Sequence, residues 1–273
     1  MKKTVLHFTL LGLAIPVLFV ACSDDENPAA SIVKEWSVPL SAQNENAVLP
    51  GRAETGTATI QLMSDNSINY TIAVNGLTAG DALTNAHIHT GDVITNGPVI
   101  LGFDPVFSGS NANGTIPNVR STFIDSLKNN VNELYFNVHS TQVPGGLVRG
   151  QLNVAIDMAA SLALDGASQV PAITTTAKGV ALLRLTADKK LYSKVTVTDL
   201  EAGDALLFAH IHQEAVGVNG PVIIDLCQNP ADFGVAKITT LPDASITALK
   251  TLPVYVNAHS VKHPGGVVRG QIR

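Results

Sequence analysis

The chain has 273 residues, a formal net charge of −5 and only 14% charged residues, with Gly, Thr, Val and Ala plentiful. That length accommodates two cores, and the composition is that of a β-rich chain without long charged helices. No Lys/Arg stripe or basic patch runs through it, which excludes the electrostatic footprint of a nucleic-acid binder.

The first element in chain order is an export signal, residues 1–21. Lys2 and Lys3 precede an apolar run from Val5 to Val20, and Ala21 stands before Cys22; the run is short for a membrane span and is of the length of a signal core. The stretch "LFVAC" resembles the lipobox of bacterial lipoproteins, with Phe19 where Leu is commoner, and the resemblance implies cleavage before Cys22 and its lipidation. Residues 22–35 form an acidic tether, "SDDENPAAS" having nothing to bury. The acidic run resembles the surface-export signal of lipoproteins in some Gram-negative groups. The expected location is therefore the bacterial cell envelope, anchored by lipid to the outer membrane and displayed at the surface, with the membrane as first partner. With Cys22 lipidated, Cys227 has no disulfide partner and reads as a small buried hydrophobe within "PVIIDLC".

From about Trp36 onward the chain repeats itself. "GDALTNAHIHTGDVITNGPVI" from Gly80 matches "GDALLFAHIHQEAVGVNGPVI" from Gly203, and "YFNVHSTQVPGGLVRGQL" from Tyr135 matches "YVNAHSVKHPGGVVRGQI" from Tyr255. The expected domains are residues 36–153 and 157–273, each near the commonest domain size and each with a full set of elements to fold alone. Ile68, Tyr70, Ile72 and Val74 fall on one face of a strand, as do Leu191, Val195 and Val197. "TATIQLM" and "VALLRLT" precede these as further strands, and Gly, Asn and Asp at the breaks favour antiparallel pairing. The fold class is all-β, two tandem antiparallel β-sandwiches, with one helical turn before the last strands where Ile124 and Leu127, and Ile246 and Leu249, recur at i, i+3.

Chemistry concentrates in the shared blocks. In a strand "AHIH" sends His87 and His89 to one face, their α-carbons about 7 Å apart, and "LYFNVHS" sends Tyr135, Asn137 and His139 opposite Leu134, Phe136 and Val138. Copy two repeats this with His210, His212 and His259. Six of the eight histidines occupy these positions; only His7 and His263 do not. Three histidines match the ligand count of a catalytic zinc site, and imidazole also suits copper. The alternative is a hydrogen-bonded network in which neutral imidazoles pin the "NGP" and "PGG" loops. Arg149 and Arg269, after the Gly-Gly turns, either bind an anion or brace loop carbonyls. Asn137 and Asn257 are expected to be structural, bridging loop backbone. No nucleophile elbow, phosphate loop or paired carboxylates stand out.

In the order "GL", "AHIH", "NGPV", "NVHS", "PGG", "VRGQ" the chain resembles the CHRD (chordin) domain family, twice over. The resemblance implies an immunoglobulin-like β-sandwich and brings no established activity. A fainter likeness is to the copper/zinc superoxide dismutase sandwich, which would imply copper ligands at His87, His89 and His139 with Arg149 as anion guide, and at His210, His212 and His259 with Arg269 in copy two. This chain departs from that pattern in having no bridging histidine, zinc-loop ligands or disulfide. The function expected is a lipid-anchored pair of CHRD domains acting as a non-catalytic binding or structural module for an extracellular protein or glycan. The alternative is a zinc or copper protein, or a metalloenzyme, built on the three-histidine faces.

Overall fold

Copy one places eight strands around one core: β1 (Ile32–Ser41), β2 (Thr55–Met63), β3 (Ile68–Asn75), β4 (Leu83–Thr90), β5 (Val99–Gly102), β6 (Asn111–Ile116), β7 (Leu134–Ser140) and β8 (Val148–Gln151), with helix α1 (Ser121–Asn129) before β7. Copy two repeats the plan with β9 (Ile156–Asp165), β10 (Lys178–Thr186), β11 (Lys190–Thr198), β12 (Leu206–Gln213), β13 (Val222–Cys227), β14 (Lys237–Thr240), α2 (Asp243–Thr251), β15 (Val254–Ser260) and β16 (Val268–Gln271). The computed structural model describes residues 29–129 and 133–273, so the signal, Cys22 and His7 lie outside the described residues.

Strand order is β5-β4-β7-β8-β1-β2-β3-β6 and, in copy two, β13-β12-β15-β16-β9-β10-β11-β14, with antiparallel neighbours throughout. The joint between the two halves of each sheet is narrow: β8 meets β1 through the pair Arg149↔Ser41, and β16 meets β9 through Arg269↔Asp165. At that joint each sheet curls back on itself. The core of copy one joins Trp36, Val38, Ile60 and Ile72 from one half to Ala86, Ile88, Phe136 and Val138 from the other. Alternation produces this directly, because successive side chains leave a strand on opposite faces; β3 buries Ile68, Tyr70, Ile72 and Val74 while Asn69, Thr71, Ala73 and Asn75 turn outward.

The helices are longer than one turn. Each runs nine residues, α1 burying Phe123, Ile124 and Leu127 and α2 burying Ala248 and Leu249. Each closes one end of its core with an apolar stripe at helical spacing. Among the described residues no helix is long and apolar enough to cross a membrane.

The repeat reads as two separate cores, and two cores are present. A third cluster crosses between copies: Val93 and Ile94 of copy one pack with Leu182 and Tyr192 of copy two. Arg184 of β10 accompanies it, fully buried, donating to the carbonyl of Glu45 in copy one and, within copy two, to the carbonyls of Ala160 and Leu183 and to Ser161 Oγ. Cys227 is a free, buried thiol, pushed up to about 11 by desolvation.

Candidate metal centre

Pairing of β4 with β7 sets His87 against Asn137 and His89 against Tyr135, so His139 stands one step along on the same face. β12 and β15 repeat the register, with His210 against Asn257 and His212 against Tyr255. Each trio offers one ring nitrogen apiece, and these atoms lie within 4.8 Å of one another, in copy one as in copy two.

The loops decide which nitrogens those are. His89 Nδ1 bonds Gly97 O at 3.0 Å and His139 Nδ1 bonds Pro144 O at 2.9 Å; His212 and His259 bond Gly220 O and Pro264 O at 3.0 and 2.9 Å. A carbonyl only accepts, so each Nδ1 carries the proton and each Nε2 turns a lone pair inward. Glycine is required in the first of these loops, because a Cβ on Gly97 would lie 1.9 Å from Thr90 O, and one on Gly220 1.9 Å from Gln213 O.

The first histidine of each pair turns its Nδ1 to the centre. In copy one His87 Nδ1 donates to His139 Nε2 at 3.0 Å. In copy two no such bond forms: His210 Nδ1, His212 Nε2 and His259 Nε2 are all buried without a hydrogen-bond partner. Two lone pairs and a third ring nitrogen facing one point repel each other unless a cation or a hydrogen-bond donor such as water lies between them, and buried polar atoms left unpaired are uncommon enough to require a cause.

Stacking holds the middle histidine. His89 lies parallel to Tyr135 with centroids 4.7 Å apart, and the Arg149 guanidinium carbon sits 3.4 Å from the centre of the same tyrosine ring. His212, Tyr255 and Arg269 form the same stack at 4.9 and 3.4 Å. Burial lowers the pKa of His87, His89, His210, His212 and His259, and the arginine behind the tyrosine lowers His89 and His212 further. Those five shifts favour the neutral form that a metal needs.

Arg149 is fully buried and donates to Asn96 Oδ1, Asp92 O and Thr95 O at 2.7, 2.5 and 2.9 Å. Arg269 does the same work on Asn219 Oδ1, Val218 O and Ala215 O. Both therefore tie down the loop that carries the glycine carbonyl. Loop bracing was one of the two readings of these arginines; the tyrosine stack escaped the sequence reading, although Tyr135 and Tyr255 begin the second shared block.

Asn257 does bridge loop backbone, donating to Gly265 O, while its Oδ1 accepts from Gln169 Nε2 at 2.8 Å. Asn137 differs from the expectation: its Nδ2 donates to the Glu45 carboxylate at 2.6 Å rather than to backbone, because Glu45 occupies in copy one the place that Gln169 holds beside the second Gly-Gly turn. Asn137→Ala leaves that buried carboxyl short of a donor and is expected to cost about 1–3 kcal/mol in urea unfolding of the metal-free chain. His263 lies apart, 3.7 Å from Glu201. Two clefts of about 380 and 390 Å³, one lined by Pro39, Met158 and Arg273 and the other by Ile223, Lys237 and Thr239, contain none of the six histidines. The trios are ion-sized sites rather than parts of those clefts.

A pair of antiparallel β-sandwiches in tandem, each carrying a His-x-His strand beside a third histidine and an Arg-braced loop, defines a repeated domain class. The CHRD domain family matches residues 36–152 and again residues 160–272, and the chain belongs to that family. No curated protein and no solved structure matches it.

Proposed function

We propose that this is a lipid-anchored cell-envelope protein whose two CHRD domains are metal-binding modules, each taking one zinc or copper ion on its three-imidazole face. The observation that carries the reading is the copy-two trio of buried, unpartnered ring nitrogens within 4.8 Å of one another. Loop carbonyls behind two of those rings are the outer-shell acceptors that metal-bound histidines use to fix tautomer and orientation. Titration of the purified chain with Zn²⁺ and Cu²⁺ tests it, with two ions bound per chain as the expected result and no binding by folded protein as the result against it.

A second reading applies to copy one alone, where the His87–His139 hydrogen bond satisfies both rings without an ion. There the trio would serve as a loop anchor, and the titration would stop at one equivalent.

Anchoring rests on the order of charge, apolar run, small residue and Cys22. Cys22→Ser is expected to move the protein from the detergent-extractable membrane fraction to the soluble one. Unchanged partitioning of that variant would remove the anchor from the proposal.

A further inference from the structure

Around the two trios, copy one and copy two place different side chains at matching positions. On the histidine face of β12, two residues before His210, stands Phe208; on β4, two residues before His87, stands Asn85. Phe208 lies against two of the three rings at once, with centroids 5.0 Å from His210 and 4.7 Å from His259. Asn85 instead turns to its own backbone, its Oδ1 accepting from Ala86 N at 2.8 Å. Access differs as well: in copy two His212 and His259 are buried and His210 is partly exposed, whereas His87, His89 and His139 all remain partly exposed.

A second difference lies behind the first histidine. In copy two His210 pairs across the ladder with Asp225, whose carboxylate is 3.5 Å from Nε2, the ring nitrogen facing away from the centre. In copy one the residue opposite His87 is Gly102. A carboxylate behind a ligating imidazole orients it and raises its basicity. Copy two thus has a carboxylate within 3.5 Å of its first histidine, the apolar cover and three unpaired inward nitrogens together. In copy one Asp104 acts on His87 only through its field, no aromatic ring covers the trio from the Asn85 position, His89 Nε2 alone is unpaired, and the other two inward nitrogens share a hydrogen bond that an ion must displace.

Resting on the metal reading above, we infer that the two centres differ in access and retention. The copy-two centre is a closed three-imidazole cage that fills first and holds its ion, with Phe208 as the residue that closes it. The copy-one centre is open, exchanges its ion, and takes a fourth ligand, water or a small anion, from solvent. Closed sites retain and open sites present the metal to an incoming ligand, and here one chain carries both kinds.

The test uses the detergent-solubilised full chain loaded with Cu²⁺, and its variants His87→Ala/His89→Ala and His210→Ala/His212→Ala, which leave one centre each. Azide is expected to shift the Cu²⁺ absorption and electron paramagnetic resonance spectra of the copy-one centre and to leave the copy-two centre unchanged. Removal of copper by EDTA is expected to be at least about tenfold slower from copy two, as fits a closed site. Phe208→Asn should then admit azide to copy two and speed its exchange, and Asn85→Phe should exclude azide from copy one. Two filled centres that react alike with azide and EDTA, or exchange unaltered by both swaps, would overturn the inference and leave the metal reading standing. Folded chain that binds copper at neither centre would overturn both.

Discussion

A chain carrying His89→Ala together with His212→Ala is expected to lose stoichiometric Zn²⁺ and Cu²⁺ binding at both centres. Each substitution removes one of three inward nitrogens, and the loss should exceed the roughly 10–100-fold that removal of an outer-shell partner costs. The pH dependence has a definite sign. Binding needs neutral rings, and burial lowers five of the six histidines below the ordinary value of 6.5, so affinity should hold as pH falls through 6.5 and decline only below it. Stability of the metal-free chain runs the same way. Unfolded histidines take up protons near 6.5 while the folded rings do not, so stability falls as pH drops through that value and levels off once the folded rings protonate. Saturating metal should raise the melting temperature at pH 7.5 by an amount that vanishes in the double variant, since a ligand that binds only the native state stabilises it by mass action. Calorimetric titration between pH 5 and 8 reads binding and its pH profile together. Retained two-ion binding in the double variant would place the ions elsewhere.

Arg184→Met is expected to destabilise the protein by about 3–5 kcal/mol, the cost of breaking a buried charged constellation from one side, and to lower its melting temperature by roughly 6–20 °C. The reason is the four acceptors that Arg184 satisfies, three within copy two and the Glu45 carbonyl of copy one. Glu45 adds a pH signature. Burial pushes its carboxyl up to about 7 even though Arg149 and Arg184 pull it down. A raised carboxyl contributes stability that is fully present below its unfolded pKa, 4.5, and is lost as pH rises through about 7. Removing Arg184 takes away one of the charges that eases its ionisation, so the variant should lose more at pH 8.5 than at pH 5.5. Glu45→Gln in the same background, which copies the amide of Gln169, should recover most of that alkaline excess. Melts of the three chains at both pH values decide it; an Arg184→Met penalty independent of pH would separate the arginine from Glu45.

Alternation along single strands was legible from the residues alone. Ala86 and Ile88 face the core and His87 and His89 do not, and the same holds for Phe136 and Val138 against Tyr135 and His139, because a strand's two faces are dictated by its covalent geometry whatever it pairs with. The duplicated blocks likewise located the repeated domains, since identical motif order implies the same set of elements twice. Helix length was not legible. Ile124 and Leu127 mark only one contact stripe, and the nine-residue span depends on Phe123 and the core it closes.

What only the tertiary structure decided lies between strands remote in the chain. The ladder of β4 with β7 brings His139 within 3.0 Å of His87 across two intervening edge strands, a helix and loops. A shifted register near Leu206 and Ala209 lets Phe208 reach His259. Which nitrogen faces inward was set by carbonyls of Gly97, Pro144, Gly220 and Pro264, and a backbone carbonyl carries no mark in a one-letter sequence. Arg184 and Glu45 meet across two copies that share no motif at either position. Periodicity is local and belongs to the chain; register, loop carbonyls and the meeting of the two copies arise only when distant segments close on one another, and those contacts make six histidines into two different centres.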